Sequence, residues 1–404
     1  MKKRVAAGLL LAVLLAIVLN KGCARGTDFD VRLNPLVTPY RFSIAGWEWQ
    51  TIIEQAKDWY SGRKIRVDDG TRRVIEYFDA GKRIKTLQSE IEEAVKSGSS
   101  TPFQLEYELR SLQEKQVLQA PIVEKVIKKQ IGETLAEQGI FNPLGRGRVS
   151  FPPLNFTLQE MLALLVISPR DRIESMREIV LVQNLTIRER ESLEGRVDGL
   201  GVSSLVVNLG GMATYPSLIN SGAGLSEAIE TAAHEWLHQY LAFTPLGFRY
   251  VLDLAGISPN YDIATMNESL AGMVGKEIGA MVYRKYYAGF ESETTPKAGN
   301  SFDFNLAMRE IRKMVDTYLA RGEIKLAEDF MEQQRKVLAS NGYYIRKLNQ
   351  AYFAFHGAYA DSPAFQNPIG LELKELRAKS ASLKDFLAKA AGMTSRRDLA
   401  ESVR

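Results

Sequence analysis

Cysteine and histidine are what this chain nearly does without: Cys23 stands alone, and three histidines serve 404 residues. A single cysteine excludes an internal disulfide and any metal site built from thiolates. The charge excludes just as much. Lys and Arg number 52 against 48 Asp and Glu, leaving +4, and the basic residues are scattered among acids, so the balance gives no case for a nucleic-acid partner. No internal repeat or low-complexity tract is present. With 45% hydrophobic and 25% charged residues, the composition is that of an ordinary globular protein with room for two or three domains.

The longest apolar run comes first. Met1-Lys2-Lys3-Arg4 leads into apolar residues over 5–19 and then Asn20-Lys21-Gly22-Cys23. A basic flank ahead of such a run reads as an uncleaved, single-pass membrane anchor that leaves the body of the chain outside the cytoplasm. The run is short for a span of about 20 residues, so a cleaved secretory signal and a lipoprotein modified at Cys23 are the alternatives.

Two of the scarce histidines lie together in LSEAIETAAHEWLHQY over 225–240. On an α-helix the four-residue spacing puts His234 and His238 on one face, with about 6 Å between their Cβ atoms, so both imidazoles reach one metal ion. Glu235 sits one residue round, placed to act on a water without ligating the metal. That is HExxH, two zinc ligands and a general base. The helix is credible: Ser226 is a candidate N-cap after a Gly-rich turn, the segment is apolar over most of its circumference, and Thr244-Pro245 ends it.

A catalytic zinc has three protein ligands and an open position, and the third must here be a carboxylate. The next predicted helix, 263–287, offers Glu268 and Glu277. Nine residues turn a helix by roughly 180°, so only one of them faces the metal. The Glu268 face continues through Ala271, Gly272, Gly275 and Gly279, small enough for close helix contact, which selects Glu268 and leaves Glu277 solvated or supporting.

These residues resemble the gluzincin metallopeptidases, the thermolysin-like group in which a glutamate from the following helix completes His-His-Glu. Asn267-Glu268-Ser269-Leu270-Ala271 is similar to the segment that carries the third ligand there. The resemblance spans about 178–287. It implies a zincin-like catalytic domain with a small β-sheet, Zn2+ on His234, His238 and Glu268, and a peptide or protein substrate. The interval from His238 to Glu268 is longer than in that group, implying an extra loop, and Gly272 replaces the supporting aspartate four residues after the third ligand. Asp253 and Asp262 are the candidates for orienting the histidines.

The remaining chain divides into a leader or anchor over 1–24, a helical region over 25–140, the catalytic domain over 150–290 and a C-terminal helical lobe over 300–404. The class is α+β and predominantly helical. Helices are expected over 47–60, 70–92, 103–120, 121–138, 158–165, 302–320 and 324–340, with strands at 178–182 and 205–209. The region 203–219 reads as the edge strand beside the metal that binds extended substrate through its backbone. Gly210-Gly211-Met212-Ala213-Thr214 within it looks like the GAMEN segment of zinc aminopeptidases, but Ala213 replaces the glutamate that grips a free α-amine. The aromatic stretch 348–363 holds His356 and Tyr359, candidates for stabilising an oxyanion. The function expected is zinc-dependent peptide-bond hydrolysis, with Glu235 as base. The competing class is a membrane-tethered helical scaffold or binding protein whose metal site is structural or vestigial.

Overall fold

The computed structural model describes residues 27–43, 70–96, 103–143, 149–183, 185–290, 302–356 and 368–404. Helices dominate, accompanied by two three-stranded sheets, in keeping with the α+β, predominantly helical class. The predicted helix at 47–60, the apolar run at 5–19, Cys23 and Tyr359 fall outside the described residues. The single-pass membrane expectation is withdrawn, because among the described residues no helix is long and apolar enough to cross a membrane.

The first helix, α1 (Asp28–Val37), is opened by a Thr27–Asp30 capping box. Helices α2 (Gly70–Lys96) and α3 (Phe103–Glu137) pack side by side; of the inward residues expected on α2, Val74, Tyr77, Ile84 and Leu87 are buried and Ile91 is half-buried. The two helices expected over 103–138 are one, with Pro121 inside it. Proline weakens a helix locally, but the buried face of Val123, Val126, Ile127 and Ile131 immediately after it carries the helix through by tertiary packing.

Strands β1 (Phe156–Gln159), β2 (Ala163–Pro169) and β3 (Arg177–Leu181) follow, then α4 (Ile187–Asp198), β4 (Val202–Asn208), β5 (Gly211–Met212) and β6 (Ser217–Asn220). One sheet has the order β1-β6-β5 and the other β3-β2-β4. The helix expected over 158–165 is therefore the end of β1 and the start of β2. Residues 162–167 are buried without exception, so they show neither a 2.0 nor a 3.6 period, and a fully buried strand then looks like a buried helix in sequence.

Helices α5 (Leu225–Leu241), α6 (Pro245–Leu254) and α7 (Tyr261–Tyr286) come next, followed by α8 (Phe304–Ala320), α9 (Ile324–Ser340) and α10 (Gln350–His356). The chain closes with α11 (Ile369–Ala378), α12 (Leu383–Ala391) and α13 (Arg396–Val403). The principal core gathers side chains from α2, α3, α5, α7 and α11 to α13, with Phe156 and Ile219 from the first sheet. The second sheet buries one face against α1 and α4 and the other against α10. Helices α8 and α9 pair over Phe353 of α10.

Near α5 the two differences from expectation are small and local. Its N-cap is Gly224, because Ser226 already lies in the first turn, where its hydroxyl donates to Glu230 Oε1 at 3.1 Å. The interval after α5, read as a loop, is largely the helix α6, started by Thr244 as cap and Pro245 in its first turn.

What sets the site is how closely α7 lies on α5. A Cβ on Gly275 would stand 3.0 Å from His234 N and 3.1 Å from Glu230 O, and one on Gly279 would collide with the Glu230 side chain. Two helix backbones touch here with no side chain between them. Gly272 takes no part, since a Cβ there meets nothing within 4 Å. The two glycines should therefore respond oppositely to alanine. Gly272→Ala is expected to stabilise by up to about 1 kcal/mol through helix propensity alone, whereas Gly275→Ala should cost about 1–3 kcal/mol by wedging the helices apart. Urea unfolding measures both, and equal shifts would show that close approach is not what Gly275 provides.

Candidate metal centre

The α5–α7 contact runs in register. His238 Nδ1 meets Asn267 Oδ1 at 2.7 Å, the His234 ring hydrogen-bonds the backbone of Ala271, and Gly275 lies against Glu230 and His234. Each step of four residues down α5 is matched by a step of four up α7, as antiparallel helices of one pitch require. His238 Nδ1 is thereby committed to α7, and the two Nε2 atoms lie 3.0 Å apart. Fixing one ring nitrogen in this way is what orients a metal-binding imidazole.

Glu268, next to Asn267 on the same helix, completes the group. Its Oε1 lies 3.5 Å from His238 Nε2 and its Oε2 3.7 Å from His234 Nε2. Ligands about 2.05 Å from a tetrahedral zinc would stand about 3.3 Å from one another. The three observed edges bracket that value, and two imidazoles with one carboxylate are donors that zinc accepts. Glu277 points elsewhere and forms a two-pronged ion pair with Arg377, at 3.0 and 2.7 Å.

Glu235 is also near: His234, Glu235 and His238 offer ligand atoms all within 4.8 Å of one another, a group that could hold a metal ion. Each Glu268 oxygen faces one imidazole, while Glu235 Oε1 lies against Gly211 of β5. No protein-family model matches this chain, and neither does any curated protein or solved structure.

Electrostatics separate the four groups. Burial pushes the Glu235 carboxyl up to about 8, with the Glu268 charge adding to it and His238 opposing. Burial, with His238 beside it, holds the His234 imidazole down to about 4. Burial also disfavours charge on His238 and Glu268, but their mutual attraction outweighs it, raising the imidazole and lowering the carboxyl.

Two supporting residues were not assigned from sequence. Asn267 orients His238, the role for which Asp253 and Asp262 were candidates. Asp253 instead accepts the Asn260 N–H at 2.6 Å, and Asp262 lies half-buried in the first turn of α7. Tyr250 of α6 donates its hydroxyl to Glu268 Oε1 at 2.8 Å. The signal for Asn267 was its place beside Glu268 in the quoted segment, while Tyr250 needs the path of α6. His356 is not brought to the group by any contact found among the described residues. It packs on Tyr352 and Phe355 at ring-centroid distances of 4.2 and 5.1 Å, and burial lowers it to about 4.

The sheet edges define what can approach. The outer edge of β4, the strand expected beside the metal, is closed: Asp198 and Glu194 accept from Ser204 N and Val206 N at 2.8 and 2.6 Å. Lys347 and Asn349 donate to Ser204 O, and Arg346 to Val206 O. The β1 edge is held by Glu124, which accepts from Leu158 N at 2.9 Å. Along β3 the backbone of Tyr40 and Phe42 pairs with Val182 and Val180. At β5, the hydrogen bond from Asn220 N to Gly210 O and the register Gly211↔Ile219 turn the Gly211 N–H and C=O away from β6, because antiparallel pairs alternate.

Metal removal should be visible in stability. Zn2+ added to chelator-treated protein at about a hundred times its dissociation constant is expected to stabilise folding by about 2.7 kcal/mol, and His238→Ala should lose that gain. A thermal melt unchanged by Zn2+ would mean that the group binds no zinc.

Proposed function

We propose that this chain is a zinc-dependent peptidase of the gluzincin kind, with a zincin-like catalytic domain around α5 and α7. The observation that carries the reading is the convergence of His234, His238 and Glu268 on one point, with Glu235 beside it and turned towards the outward edge of β5.

His234, His238 and Glu268 would hold the ion. What it supplies when bound is Lewis acidity, which brings the ionisation of a water towards neutral pH. The rest falls to the chain. Glu235 accepts the proton of the attacking water on its carboxylate and returns it to the leaving amine. A carboxyl lifted by burial suits both steps, since a proton carrier works best with a pKa near the operating pH. Gly211 offers an N–H and a C=O to an extended substrate in the manner of an added strand, and the missing Cβ leaves room beside Glu235. With Ala213 in place of a glutamate, nothing in this reading favours a free N-terminus over an internal bond.

Glu235 also separates catalysis from a closed structural site. Were it a fourth ligand, the site would have no open position and the scaffold reading would gain. Glu235→Gln is expected to lower peptide turnover by about 10²–10⁴-fold while retaining about one zinc per chain. Digestion of a peptide library, with metal content measured on the same sample, tests this. Loss of the metal would point to a closed site, and retained turnover would remove Glu235 as the base.

A further inference from the structure

Of the residues around the candidate centre, Tyr250 has the most definite geometry and no part in the reading above. Its helix is rigidly seated. Thr244 Oγ1 donates to Leu241 O at 2.7 Å and accepts from Gly247 N at 3.4 Å, tying the end of α5 to the first turn of α6. A Cβ on Gly247 would collide with the Leu241 carbonyl, so α6 folds directly back on α5. Leu246 is fully buried, and Tyr250, one helical turn later, shares its inward face.

That placement gives Tyr250 two contacts at once. Its ring stacks on His238, with centroids 5.9 Å apart and planes at 30°, and its hydroxyl donates to Glu268 Oε1 at 2.8 Å. Asn267 fixes one imidazole and Ala271 the other. We infer that Tyr250 is the positioning residue of the third ligand: reaching across from α6, its hydroxyl fixes the Glu268 carboxylate against His234 and His238. The position four residues after Glu268 is Gly272, which has no side chain to do so from α7. A hydroxyl also supports the carboxylate without adding a negative charge to a site that already holds two carboxyls. The inserted segment between α5 and α7 is on this account part of the metal centre.

The inference rests on the metal reading, and the experiment separates the two. Zn2+ and Co2+ affinities are measured by chelator competition on the full chain for wild type, Tyr250→Phe, Glu268→Ala and the double variant, with thermal melts of the metal-free proteins alongside. Tyr250→Phe keeps the stacked ring and removes only the hydroxyl. It should weaken metal binding about 10–100-fold, the range for losing a ligand's hydrogen-bond partner, and leave the Glu268→Ala background unchanged within about twofold, because coupled residues are not additive. Equal affinity in wild type and Tyr250→Phe overturns the inference and leaves the metal site standing. An equal loss in both backgrounds also overturns it, since Tyr250 would then act by a route other than Glu268. A wild-type chain that takes up neither ion overturns the metal reading and the inference with it.

Discussion

Backbone contact between α5 and α7 is the constraint on which the rest depends. Side chains at i and i+4 on one helix find partners at the same interval on the other only if the two lie nearly aligned and close. Gly275 and Gly279 provide the closeness. With the helices so near, Asn267 and the Ala271 backbone reach the two imidazoles directly, and Glu268 needs no long excursion to meet them. The surrounding elements hold this pair in place. Helices α3 and α11 lie along α7, and the β1-β6-β5 sheet covers α5 from the other side.

What could be read from sequence was what one helix encodes by itself. The spacing of His234 and His238 is local, so histidine scarcity and a four-residue interval were enough. Choosing Glu268 over Glu277 needed only helical rotation and the run of small residues, and the Glu277–Arg377 pair shows where the other face points. Residues 158–165 and Pro121 were misread because burial on all sides erases periodicity and packing overrides propensity. Tyr250 was out of reach for another reason. Its position depends on the tight return at Thr244 and Gly247, a property of two helices and a turn that no single-helix pattern records. Asp253 and Asp262 failed as orienting residues for a complementary reason: a neutral amide adjacent to Glu268 on the right face does that work, so no further carboxylate is required.

The sheet edges show a second economy of placement. Unpaired strand edges invite association with other chains, and folded proteins close them with charged side chains or covering segments. Here β4 is closed by alternating acceptors and donors from α4 and from Arg346, Lys347 and Asn349, which imitate the pattern of a neighbouring strand. Glu124 does the same for β1. Among the described residues, Gly211 by contrast keeps its backbone polar groups outward, beside Glu235.

The electrostatics of that centre are hard to explain as architecture. Two imidazoles and two carboxyls share a site where Glu235 is 7% exposed and the side chains of His238 and Glu268 are 10% and 16% exposed. Burying ions costs several kcal/mol each after relaxation, and an internal ion pair often returns less than apolar residues of the same volume would. A chain selected for stability alone would place leucines at these positions, as it does elsewhere along α5 and α7 at Leu237, Leu241 and Leu270. The close α5–α7 contact instead surrounds these buried charges, and the two Nε2 atoms stand 3.0 Å apart. Two nitrogen lone pairs and a carboxylate directed at a common point repel unless a proton or a cation sits between them. A divalent cation would meet all three donors together.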